Sequence, residues 1–214
     1  MIAIITADII NSRKLTNQEV WINPLKNLLS QWGQTPKNWE IYRGDYFQVE
    51  IEKAEDAFLM ALQIKALIKS TDSSKGKKRI ATIDVRMAIG LGEKEYEATR
   101  ISESNGSAFI NSGEKFETLK KEKTTLAIKS TNPKFDDEMN LYFKLANIQM
   151  DSWSINSAQL WSTILENPEK KQFEIGEIIG IEQNSVSDRY KRANVEEILE
   201  LEKMYRIKVK ELSK

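Results

Sequence analysis

Asp8 and Asp45 are the side chains whose setting best suits chemistry. Asp8 directly follows the apolar run Met1 to Ala7, and Asp45 stands beside Gly44 between two short runs rich in aromatic and β-branched residues. If the apolar run is a buried strand and the two short runs form a hairpin in the same sheet, both carboxylates meet at one edge. Oxygen donors of this kind suit Mg²⁺ or Mn²⁺, which accepts one or two carboxylates and fills its other positions with water and substrate phosphates. The same residues also serve as plain caps of a strand end and a turn, so both readings stay open on the pair alone. The 214 residues contain neither cysteine nor histidine. That removes disulfides, thiolate zinc sites, iron-sulfur clusters, cysteine nucleophiles and every Ser-His-Asp arrangement. Carboxylates, Lys, Arg, hydroxyls and amides remain. They are the repertoire of phosphoryl and nucleotidyl transfer, in which positioning and a divalent cation supply most of the catalysis.

The elements that must position these groups follow from periodicity. Met1 to Ala7 predicts a strand that stops at Asp8, and Leu15, Val20, Leu25, Leu28, Leu29 and Trp32 predict a helix over about Thr16 to Trp32, with Pro24 a kink inside it. Trp39 to Tyr42 and Tyr46 to Ile51 read as a hairpin. Ala54 to Ser70 reads as an amphipathic helix, followed by a polar, basic and mobile loop from Thr71 to Arg79. Ile80 to Ile89 is a further strand ended by Gly90-Leu91-Gly92, Ala108 to Lys121 a helix, and Thr124 to Lys129 a short strand. This alternation predicts an α+β fold with a βαββαβ core. Past Thr131-Asn132-Pro133 strand signals vanish, which divides the chain into 1–132 and a helical part 133–214 with a bridging helix near Glu138 to Met150.

The motifs sharpen the first part. Thr6-Ala7-Asp8-Ile9-Ile10 resembles the first metal position of class III nucleotidyl cyclases, and Arg43-Gly44-Asp45-Tyr46-Phe47 resembles both their second metal hairpin and the GGDEF hairpin of diguanylate cyclases. Val85-Arg86-Met87-Ala88-Ile89-Gly90 and Asn111-Ser112-Gly113-Glu114-Lys115-Phe116-Glu117 are similar to a strand and a helix of the same palm, in the same order. The resemblance implies that Asp8, Asp45 and the Ile9 carbonyl hold Mg²⁺ or Mn²⁺. It also implies that Asn111 orients a ribose, that Lys115 stands where the family has a transition-state Arg, and that the N–H groups of Ile10, Asn11, Ser12 and Arg13 cradle phosphate at a helix opening. Ile41 occupies the place of the family's purine-reading residue, and Phe109-Ile110 lacks the acidic residue that precedes the Asn helix.

In the second part, helices are expected over Ser157 to Asn167, Glu174 to Gly180, and Asn184 to Asn194, the last capped by Asn184 or Ser185, with a final helix over Val195 to Leu212. Gly176, Gly180 and Val186 have the spacing of two helices crossing at a tight turn, which resembles a helix-turn-helix. Its recognition helix would run from Ser185 to Ala193 and present Gln183, Ser185, Ser187, Asp188, Lys191 and Arg192 to duplex DNA. From Met150 onward, ten basic residues face twelve acidic ones, whereas DNA-binding modules are commonly basic, so a helical protein-interaction module is the other reading. The whole-chain pattern resembles the SatD family of small bacterial proteins.

Over the full length 32 basic residues balance 32 acidic ones, so any polyanion must be held by a local patch. The apolar start lacks a basic leader and is broken by Asp8, so neither a signal peptide nor a membrane span is expected, and the chain reads as cytoplasmic. The wide apolar face of Val195 to Leu212 is expected to pack on the helical bundle or on a second copy of the chain, and such a homodimer is what a helix-turn-helix needs to read two half-sites. The leading functional expectation is a DNA-associated regulator whose palm binds a nucleotide and a divalent metal and biases the tail. The alternatives are an active nucleotidyl cyclase or transferase with a tail used for dimerisation, or a scaffold that binds neither ligand.

Overall fold

The apolar run at the start forms the middle strand of a mixed sheet. The structure is a computed structural model that describes residues 1–15, 17–42, 44–71 and 83–212. Strands β1 (Ile2–Ile10), β2 (Trp39–Tyr42), β3 (Tyr46–Ile51), β4 (Asp84–Gly92) and β5 (Leu126–Lys129) are ordered β2-β3-β1-β4-β5. β1 runs antiparallel to both neighbours, and β4 and β5 are parallel. Helices α1 (Glu19–Ser30), α2 (Ala57–Ser70) and α3 (Ser107–Glu122) intervene, so the element order through β4 is the expected βαββαβ. Arg43, the loop from residue 72 to Arg79, and the expected strand start at Ile80 to Thr82 lie outside the described residues.

The two faces of β1 explain why its sequence is apolar throughout. Ala3, Ile5, Ala7 and Ile9 belong to the main core with α1 and α2, while Ile4 on the other face packs with Ile101, Ala108 and Phe109 beneath α3. β1 does not stop at Asp8 as its composition suggests. Pairing with β4 continues through Asp8↔Arg86, Ile9↔Val85 and Ile10↔Asp84, and Arg86 satisfies the carboxylate from across the ladder. β4 likewise continues through Gly90 and ends at Gly92, the last residue of the stretch expected to end it. A Cβ on Gly90 would lie 2.2 Å from the Ala108 carbonyl oxygen and 2.3 Å from the Ser112 nitrogen, so the glycine is there for the close approach of α3.

From β5 onward the chain is helical: α4 (Pro133–Met150), α5 (Ile155–Glu166), α6 (Gln172–Ile179), α7 (Gln183–Arg192) and α8 (Val195–Leu212). Asn132 caps α4 by accepting from the Phe135 N–H at 3.1 Å, with Pro133 at the first helical position where no donor is needed. The Asn140 side chain exchanges two hydrogen bonds of 2.9 Å with the backbone of Ile128, serving β5 as the next strand would. The helical part shares one buried core with α2. Phe58, Phe143 and Tyr205 pack as a trio with centroids 4.8 to 6.1 Å apart, and the Tyr205 hydroxyl donates to the Ala54 carbonyl at 3.0 Å. Among the described residues no helix is long and apolar enough to cross a membrane.

Candidate functional site

At the end of β1 the β2–β3 turn brings the backbone of Asp45 against that of Ile9, next to Asp8. Asp8 is opposite Tyr46 in the β1–β3 ladder, and the Ile9 N–H donates to the Asp45 carbonyl at 3.0 Å. The two carboxylates are held by different partners. Arg86 grips Asp8 in a two-pronged ion pair, its Nε donating to Oδ1 at 2.8 Å and its Nη2 to Oδ2. Asp45 accepts instead from the Ser12 hydroxyl at 2.8 Å. Ser12 is itself fixed from below: Gln18 Nε2 donates to its carbonyl at 2.8 Å, and Gln18 Oε1 accepts from the Trp21 indole at 3.0 Å.

The sheet face around Asp8 is aromatic and polar. Tyr42 and Tyr46 lie 5.8 Å apart, and Phe116 of α3 meets Tyr46 edge-on at 5.5 Å. Burial pushes the Tyr46 phenol up, and it pushes Tyr42 up to about 12. A hydrogen-bonded row crosses the same face. Gln48 Nε2 donates to the Thr6 hydroxyl, Thr6 to Ser112 and Ser112 to the Phe109 carbonyl, the direction being set because each hydroxyl has one proton.

Asn111 and Lys115 occupy the other flank of α3. Ser112 and Phe116 face β1 and β3, whereas Lys115 forms an ion pair with Glu122 at 2.8 Å and Glu114 pairs with Lys129 of β5. Asn111 is buried and donates to the Leu91 carbonyl at 2.8 Å. One helix thus turns two of the four expected catalytic side chains away from the Asp8 edge. Ile10 to Arg13 do not open α1. Asn11 adopts a left-handed conformation with φ 64°, Ser12–Lys14 form one 3-10 turn, and α1 begins only at Glu19. The intervening Gln18 is drawn into the Ser12–Trp21 bridge, which sets the start of the helix.

Arg86 is the site residue that sequence reasoning left without a role. Its signal was available: Arg86 is the one cation of its strand, and opposite it on the paired strand stands Asp8, a carboxylate that needs a partner. Among the described residues no group of three or more Asp or Glu side chains is arranged to hold a metal ion. Two carboxylates beside an open edge suit Mg²⁺ that brings its own phosphates, on the condition that Asp8 exchanges Arg86 for the ion.

In the helical part, Gly180 ends α6 in a left-handed conformation with φ 71°, and the Ile181 N–H donates to the Gly176 carbonyl at 3.0 Å. A Cβ on Gly176 would lie 2.8 Å from Val186, so α6 and α7 cross closely at this turn. α7 starts at Gln183, ahead of the expected caps Asn184 and Ser185, and Glu182 precedes it without a side-chain cap. Gln183, Ser185, Asp188, Lys191 and Arg192 are exposed and Ser187 is half-buried. Arg189 and Arg192 border a polar cleft with Ser154 and Ser157 at the start of α5. Comparison of the chain with protein-family models, with curated proteins and with solved structures finds no match.

Proposed function

We propose that this chain binds a nucleotide together with Mg²⁺ or Mn²⁺ at the β1–β3 edge, and that α6 and α7 form a helix-turn-helix whose contact with duplex DNA the nucleotide biases, as in a SatD-like regulator. The observation that carries the reading is the juxtaposition of Asp8 with Asp45, joined by the Ile9 N–H to Asp45 carbonyl bond. The βαββαβ order supports a palm of the nucleotidyl-cyclase kind. In this reading Asp8 and Asp45 hold the cation, and the Arg86 guanidinium released from Asp8 takes a phosphate, so no charge is left unpaired at the edge. The tail contributes Lys191 and Arg192 to phosphates and Gln183, Ser185, Ser187 and Asp188 to the groove. Linkage then requires the nucleotide to favour one arrangement of tail and sheet over another.

Calorimetric titration of Mn²⁺ plus nucleotide into the wild type and the Asp8→Asn/Asp45→Asn protein tests the first half, with saturable heat expected only from the wild type. Equal heats from both proteins end the metal-site reading. Labelled duplex DNA titrated at several salt concentrations tests the second half, and absence of saturable, salt-sensitive binding ends it. An active cyclase or nucleotidyl transferase is the weaker reading, because Lys115 and Asn111 are engaged on the far flank of α3. Pyrophosphate release from any nucleoside triphosphate would restore it.

A further inference from the structure

An apolar groove of about 610 Å³ runs between α4 and α8. Buried Ala146 and Ile198 line its floor, and Leu145, Leu201, Met204 and Ile207 its walls. Leu141, Leu145 and Ile148 recur at helical spacing along α4, and with Ile207 each is more than half exposed, at 56 to 66%. Single exposed aliphatic side chains are ordinary on a protein surface, but Leu145 and Ile207 line the groove itself and Leu141 and Ile148 extend the Leu145 stripe along α4, which together mark a contact face.

Charge decides what fits there. α8 is acidic at its start, with Glu196, Glu197 and Glu200, and basic toward its end, with Lys203, Arg206, Lys208 and Lys210. Arg206, Lys208 and Lys210 are engaged within the chain by Asp56, Glu138 and Glu55. Glu197, Glu200 and Lys203 border the groove, and none of them makes an ion pair with a described residue. A helix whose free acidic and basic side chains lie at successive points along an apolar ridge complements itself when inverted.

We propose that this groove is the contact face for a second copy of the chain, with α8 packing antiparallel on the partner's α8 about a two-fold axis through the Leu201–Met204 ridge. Leu201 then meets the partner's Met204, and Glu200 and Lys203 form two reciprocal ion pairs with the partner's Lys203 and Glu200. Such a contact closes on itself, because every pairing is made twice. A parallel arrangement would set like charges opposite one another. The proposal stands independently of the nucleotide and DNA readings, since it uses neither the sheet edge nor α7.

Sedimentation of the full chain between about 1 and about 200 µM tests it, a range that brackets the affinity of a modest interface. The wild type is expected to form a reversible dimer, and Ile207→Glu a monomer with an unchanged circular dichroism spectrum. Glu200→Lys and Lys203→Glu singly should each weaken the dimer about tenfold, because two attractive pairs become repulsive. The double variant should recover wild-type affinity, which a merely structural role for either side chain would not produce. A monomer at every concentration, a dimer that survives Ile207→Glu, or a double variant no tighter than the singles overturns the proposal. So does a monomer whose groove takes up an apolar fluorescent dye in an Ile207-dependent way, since that would assign the groove to a small ligand.

Discussion

Two charged clusters share β4 and are built on opposite principles. At the edge, Asp8 and Arg86 form a pair that is about one fifth exposed, and Asp45 is restrained by one neutral hydroxyl. Behind the sheet, Lys65 is 1% exposed and its ammonium is fully engaged, by Asp84 at 2.9 Å, Asp151 at 2.5 Å and Thr125 at 3.1 Å. Lys69 repeats the pattern with Asp84 and the Asp151 carbonyl. The buried cluster joins α2, β4, β5 and the end of α4, with every donor of Lys65 satisfied, so it locks the helical part against the sheet. The edge cluster joins β1 to β4 and the β2–β3 turn to the turn that follows β1, and it can exchange partners with solvent or a ligand. Partial exposure and incomplete restraint are what separate a candidate binding site from a structural tie here.

The sharpest way to break this comparison is to remove the buried cation. Lys65→Met should cost about 3 kcal/mol, toward the low end for breaking a buried ion pair because Asp151 is partly exposed, as read from chemical denaturation. A cost no larger than that of an edge substitution would show the cluster to be ornamental. Asp84→Asn should cost about 2 kcal/mol, since Lys65 and Lys69 both lose a charged acceptor while keeping Asp151 and its carbonyl. At the edge, Asp8→Asn should change stability by about 1 kcal/mol or less, because the Arg86 released from it can reach water. A thermal melt that falls as far as that of Lys65→Met would make the Asp8 pair structural. The smallest effect is at alkaline pH. Tyr42 is raised from 10.0 to about 12 by burial, so the unfolded chain ionises first and stability falls as pH rises through that interval. Tyr42→Phe should flatten that part of the pH profile of denaturation midpoints, and an unchanged slope would mean that the phenol is not held neutral by the fold.

The strands of the hairpin and the final helix were legible because their signals are local. Trp39–Tyr42, Tyr46–Ile51 and Val195–Leu212 fall where the residue pattern alone puts them, since alternation and helical spacing over a whole element leave little freedom. The backbone neighbourhood of Asp8 and Asp45 was legible for a related reason, because the start strand and the hairpin pair in one sheet and set the hairpin turn beside the strand end. The ends of β1 and β4 were not. Asp8 and Gly90 are breakers by propensity, and they remain inside strands only because Arg86 and α3 lie against them.

Sequence by itself therefore determined the order of elements, the carboxylate edge, the turn between α6 and α7, and a chemistry free of thiol and imidazole. Tertiary structure alone decided which face of α3 looks at that edge. A helix shows all its side chains to the sequence reader, and a rotation of one residue, about 100°, moves Lys115 or Phe116 into the site. What fixed that rotation was the contact of Ala108 and Ser112 with Gly90, a close approach between segments far apart in the chain that no local periodicity records.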